Sequence, residues 1–155
     1  MRPVIRAVAS LMASLLLLTG CSALPLLAPL MGPSGQTATP APGKQSLAQA
    51  CSAIYDNREF SDALGALDSD VAKARNSKAQ ATAVESFRKV LAKITPDLTN
   101  KSVKAQAGKL LKALKATIKT LRSEKTTLAW LKSLNRNTKK MQTEADALDA
   151  LCLKV

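Results

Sequence analysis

The sequence predicts an all-α protein, an antiparallel up-down four-helix bundle standing behind a disordered tether. Three observations predict it. From Lys44 onward only Gly65, Pro96 and Gly108 interrupt helix-forming sequence. Over the same stretch, apolar residues recur at helical spacing in four stripes. Abundant Ala, Leu and Lys, with one Trp, one Tyr and two Phe, favours helices over sheets.

The chain begins with a short positive start, Arg2 and Arg6, and residues 7–18 form an apolar run without charge. That run suits the core of a signal peptide and is shorter than the roughly 20 residues needed to cross a bilayer. Leu18, Thr19, Gly20 and Cys21 follow directly. This ending resembles the lipobox of bacterial lipoproteins. The resemblance implies cleavage just before Cys21, with Leu18, Thr19 and Gly20 as the peptidase's recognition sequence and a thioether-linked diacylglycerol on Cys21. It covers residues 1–21 and says nothing of the domain beyond. Two other readings compete: secretion with ordinary cleavage nearby, and an uncleaved anchor from Leu11 to Met31. The second is interrupted by Gly20, Pro25 and Pro29. Two or three acyl chains, at ~0.8 kcal/mol per buried methylene, hold a protein to a membrane where one is marginal.

Residues 22–43 contain five prolines and three glycines, a density that no regular helix or strand survives. The expectation is a tether spanning roughly 25 Å on average as a flexible coil. Its first half is apolar, with Leu24, Leu26, Leu27, Leu30 and Met31, and is read as lying at the membrane surface beside the lipid.

Residues 44–155 make the helical bundle. The first stripe is Phe60, Leu64, Leu67, Val71 and Ala74, and the second is Val84, Phe87, Leu91 and Ile94, ended by Pro96. The third is Val103, Ala107, Leu110, Leu114, Ile118 and Leu121; the fourth is Leu131, Leu134, Met141, Ala145, Leu148 and Cys152. Start signals fall at Ser77, with Gln80 three residues on, and at Thr99 or Asn100. Between residues 123 and 127 the stripe drifts off its face. A helix continuous from residue 100 to 153 would be about 80 Å long, too extended for this domain. Leu47, Cys51, Ile54 and Tyr55 share a face opposite to that of Phe60, Leu64 and Leu67. A bend at Asp56-Asn57-Arg58-Glu59, which looks like a capping box, reconciles them, so the first helix is one segment or two.

With Cys21 committed to lipid, Cys51 and Cys152 remain as an even pair in an oxidising compartment, and a disulfide between them is expected. It closes a loop of about 100 residues, worth up to ~4–5 kcal/mol in the chain-entropy model. In a bundle of antiparallel neighbours, an even number of helices places the first N-terminus beside the last C-terminus. Four helices bring these cysteines together; three would hold them apart.

The residue inventory is poor in catalytic chemistry, and no enzyme is expected. There is no histidine, which removes histidine-based triads and histidine metal sites, and no phosphate loop, calcium loop or zinc spacing appears. No cofactor and no small-molecule substrate is implied. The carboxylates Asp68 and Asp70, and Glu144, Asp146 and Asp149, are explained by solvated helix surfaces.

Charge placement is the non-random feature. Without residues 1–20 the chain carries 21 basic and 11 acidic residues, a net +10, and residues 101–140 hold twelve Lys or Arg against the single acid Glu124. Lys101, Lys104, Lys112, Lys115, Lys119 and Arg122 fall within about 80° on the face away from the third stripe. Lys132, Arg136, Lys139 and Lys140 form a shorter group on the last helix. A solvated face that keeps the protein soluble is one reading. The functional reading is a cationic surface for an anionic wall polymer, phospholipid or envelope protein, on a protein anchored to a bacterial membrane outside the cytoplasm. Nucleic acid would meet the same charge, but location and the lack of interleaved aromatics argue against it. Trp130 is either a contact residue or half-buried packing. The alternative role is a structural or accessory subunit of a membrane complex whose charge is incidental.

Overall fold

The computed structural model describes residues 44–123 and 127–154; the lipidation sequence Leu18-Thr19-Gly20-Cys21 and the tether to residue 43 lie outside them. The described residues are all-α, with five helices and no strand. Helix α1 is Leu47–Tyr55, α2 Arg58–Lys73, α3 Ser77–Ile94, α4 Lys101–Leu121 and α5 Leu128–Cys152, with a 3₁₀ turn at Thr95–Asp97. Five segments therefore stand where four were expected, because the first predicted helix breaks at the residues the two opposed apolar faces indicated.

Local chemistry sets each boundary. Ser46 and Gln49 make a reciprocal capping box at the start of α1. Asp56 keeps right-handed helical angles and closes α1, so the next cap is Asn57, which is extended and accepts from the Phe60 amide. The expected box from Asp56 to Glu59 is thus replaced by an Asn57 cap, leaving the Glu59 carboxylate to reach Lys93 of α3 at 2.8 Å. Likewise Asn76, not Ser77, caps α3 by accepting from Ala79 N–H, and Ser77 becomes the first helical residue. Asn100 accepts from both Ser102 and Val103 to start α4, and Thr127 caps α5 at Trp130.

One apolar core joins all five helices. Ile54 of α1, Phe60, Leu64 and Leu67 of α2, Phe87 and Leu91 of α3, Leu110 and Leu114 of α4 and Met141 and Leu148 of α5 are buried in it. Two expected stripe members depart: Leu131 is 47% exposed, and Ala74 has left the helix as the C-cap of α2. Leu131 continues the core register of α5 that runs through Leu134, Thr138, Met141, Ala145 and Leu148, but it stands at the uncovered first turn.

The start of α2 lies beside the end of α3 through Glu59–Lys93. Helices α4 and α5 run oppositely: Gln106, early in α4, donates to Glu144, late in α5, at 2.9 Å, and Trp130, early in α5, donates its indole N–H to the Thr120 carbonyl at 2.7 Å. No Cα atoms of α2 and α5 come within 8 Å of each other.

The expected disulfide is present, joining Cys51 of α1 to Cys152 at the end of α5 with Cα atoms 5.5 Å apart. At the same end, Gln45 and Thr99 bond reciprocally, Gln45 N–H to Thr99 Oγ1 and Thr99 N–H to Gln45 Oε1, both at 2.8 Å. The entry to the domain is therefore stitched to the α3–α4 connection, and α1 is clamped across that end.

Candidate anionic-partner interface

Helix α4 buries Val103, Ala107, Leu110, Ala113, Leu114, Thr117, Ile118 and Leu121. Its opposite side carries Lys101, Lys104, Lys112, Lys115, Lys119 and Arg122, all exposed. At 1.5 Å rise per residue this row extends about 30 Å along a rigid helix. Lys132, Arg136, Lys139 and Lys140 of α5 are also exposed.

The pairing of α4 with α5 brings the two rows onto one surface. Going round α4 from its buried stripe, the residues that touch α5 come first, Gln106, Thr120 and Ala116, and the basic row follows. Going round α5, the order is the same: buried Leu134, Met141 and Ala145, then Trp130, Asn137 and Glu144 against α4, then Lys140, Arg136, Lys132 and Lys139. In an antiparallel pair that shared order directs both rows to the outer side of the hairpin. Lys109, outside both predicted groups, is exposed on the flank of α4 toward α5.

The cations on this face are not neutralised from within. Among the described residues, the ion pairs are Arg58–Asp62, Arg88–Glu85 and Lys93–Glu59, none of which uses a member of either row. Lys104 donates to the Pro96 carbonyl at 2.8 Å, a neutral acceptor. Arg122 acts on an acid of α3: Glu85 is held below the usual carboxylate range first by its hydrogen bonds to Arg88, with smaller help from the charges of Arg122 and Lys89.

Trp130 is half-buried against the core. Its neighbours are less sheltered. Leu128 is 68% exposed at the first turn of α5, and Leu131 lies one turn on. Going round α5, Leu128 comes next after Lys132 and Lys139, at the edge of the basic row. Sequence reasoning placed Leu131 in the core and overlooked Leu128; the spacing of Leu131 from Leu134, Thr138 and Met141 is that of the core, and spacing does not show that the first turn of α5 is left uncovered.

Among the described residues no cluster of His, Cys, Asp or Glu is arranged to hold a metal. Two titrating groups are perturbed elsewhere. Tyr55 donates to Asp149, and burial, then this bond to an anion, pushes the phenol up. Burial also raises the Asp149 carboxyl, partly offset by the Tyr55 hydrogen bond. This pair lies beside the disulfide, away from both basic rows, and braces the fold. No protein-family model, curated protein or solved structure matches the chain.

Proposed function

We propose that this protein is an exported lipoprotein, anchored to a bacterial membrane through Cys21, that serves as a non-catalytic interaction module. Its α4–α5 face binds an anionic partner in the envelope, whether wall polymer, lipid headgroups or an acidic protein surface. The observation that carries this reading is the set of ten exposed Lys and Arg on two adjoining helices, none of them in an intramolecular ion pair among the described residues. Basic side chains near an anionic surface contribute about 1 kcal/mol each, within a Debye length. Several acting from one rigid scaffold suffice for retention without a pocket.

The scaffold is best read as α2–α5 in an up-down four-helix arrangement, with α1 as a brace across one end. Opposed contacts within α2–α3 and α4–α5 support it. A tether of about 22 residues, with a mean span near 25 Å, lets such a body return to the membrane that anchors it.

Charge reversal tests the assignment. Lys112→Glu, Lys115→Glu and Lys119→Glu together should weaken retention on anionic vesicles or wall material by well over about tenfold. The same number of reversals on and beside α2, at Arg58, Lys73 and Arg75, should have little effect. A partner captured equally by wild type and the α4 variant would point instead to an accessory subunit of a membrane complex.

A further inference from the structure

The face that the proposed function assigns to an anionic partner is bordered by apolar surface. Leu128 and Leu131 expose 68% and 47% of their area at the start of α5. Lys132 follows immediately, and round α5 Lys132 and Lys139, both exposed, border Leu128, with Leu131 beyond it on the flank away from α4. Exposed leucines scattered singly need no explanation, whereas two at successive turns bordered by cations on one side form a patch. We infer that the occupant is an anionic phospholipid bilayer, on which the outer flank of α5 rests with Leu128 and Leu131 dipping among the acyl chains.

The inference rests on the basic-face reading and extends it. A hydrated polyanion satisfies the lysines and arginines but offers nothing to two leucines. A bilayer offers both: anionic headgroups for the basic side chains that border Leu128 and hydrocarbon just below them. Long basic side chains lie along apolar surface while their charges stay at the headgroups, which suits the rim of such a contact. No helix among the described residues is long and apolar enough to cross a membrane, so the contact is one of lying on the bilayer.

The experiment uses the chain from residue 21 with Cys21→Ser, so that no acyl chain contributes. Its binding is measured to phosphatidylcholine vesicles with and without phosphatidylglycerol, and to soluble polyglutamate. Trp130, the single tryptophan, reports depth through quenching by brominated lipid. The expected result is binding to the phosphatidylglycerol vesicles with Trp130 quenched. Leu128→Ser with Leu131→Ser should then lower vesicle affinity about tenfold or more, from the lost apolar burial, while polyglutamate binding and the melting temperature stay unchanged. Vesicle binding that the leucine pair does not alter, but that reversal at Lys112, Lys115 and Lys119 abolishes, overturns the insertion and leaves the basic-face reading standing. Binding to polyglutamate without binding to vesicles overturns the lipid assignment in the same way. Absence of binding to either at low salt removes both.

Discussion

Tyr55 donates its hydroxyl hydrogen to Asp149 one helical turn from the disulfide that joins Cys51 to Cys152. Two cross-links, one covalent and one polar, thus fasten the same short helix to the same C-terminal turn. Because α1 has only nine residues, it is marginal alone and depends on such fastening and on its buried Ile54. Tyr55 also meets Phe60 edge-on, with ring centroids 5.7 Å apart, so the polar link is continuous with the aromatic part of the core.

Removing the phenol should therefore destabilise and change the alkaline limb. Tyr55→Phe leaves a half-buried carboxylate without its donor, and a loss of about 1–2 kcal/mol is expected in chemical denaturation. The folded phenol holds its proton above the unfolded value near 10. Its contribution is full below about pH 10 and is lost as pH rises beyond it. The Phe variant should show a shallower alkaline decline than wild type.

Asp149 supplies the opposite end of the pH scale. Its folded carboxyl is raised, mainly by burial, so the folded state binds this proton more tightly than the unfolded chain. Stability from this group is full below the unfolded value near 4 and falls as pH rises through the raised one. Asp149→Asn should flatten that window, measured as melting temperature against pH.

The disulfide closes a span of 101 residues in sequence. Replacing Cys51 and Cys152 with Ala should cost about 2–5 kcal/mol, read as a lower denaturation midpoint. Intact-mass measurement should show two thiols, at Cys51 and Cys152, only after reduction.

Thr138 is 2% exposed, and its hydroxyl has no hydrogen-bond partner among the described residues. Thr117, equally buried, bonds the Ala113 carbonyl at 3.1 Å. Thr138→Val should therefore raise stability by about 1 kcal/mol, whereas Thr117→Val should gain less or lose.

Much of this fold was legible because each long helix is apolar on one side only. Val84, Phe87, Leu91 and Ile94 are all buried as their spacing implied, and so is the whole α4 stripe. Cap positions slipped by one residue at Asn57 and Asn76 because adjacent side chains, Asp56 and Ser77, are equally able to cap; backbone angles decide between them. Leu131 misled because hydrophobicity alone cannot say whether a neighbour covers it, and Thr138 was overlooked because it occupies a core position with a polar label. The Tyr55–Asp149 bond spans 94 residues and depends on tertiary packing that no local pattern encodes. The basic residues were readable on each helix separately. Their convergence on one outer face needed the direction in which α5 returns along α4.

The central claim is that this converged face binds an anionic surface electrostatically. Its most direct test is retention of the domain, residues 44–155, on phosphatidylglycerol vesicles across a salt series. The account predicts retention at low ionic strength that declines steadily and is largely gone by about 0.5 M salt, where screening acts over only a few ångströms. Retention that is the same at both ends of the series, or absent at low salt from these vesicles and from soluble polyglutamate alike, would contradict it.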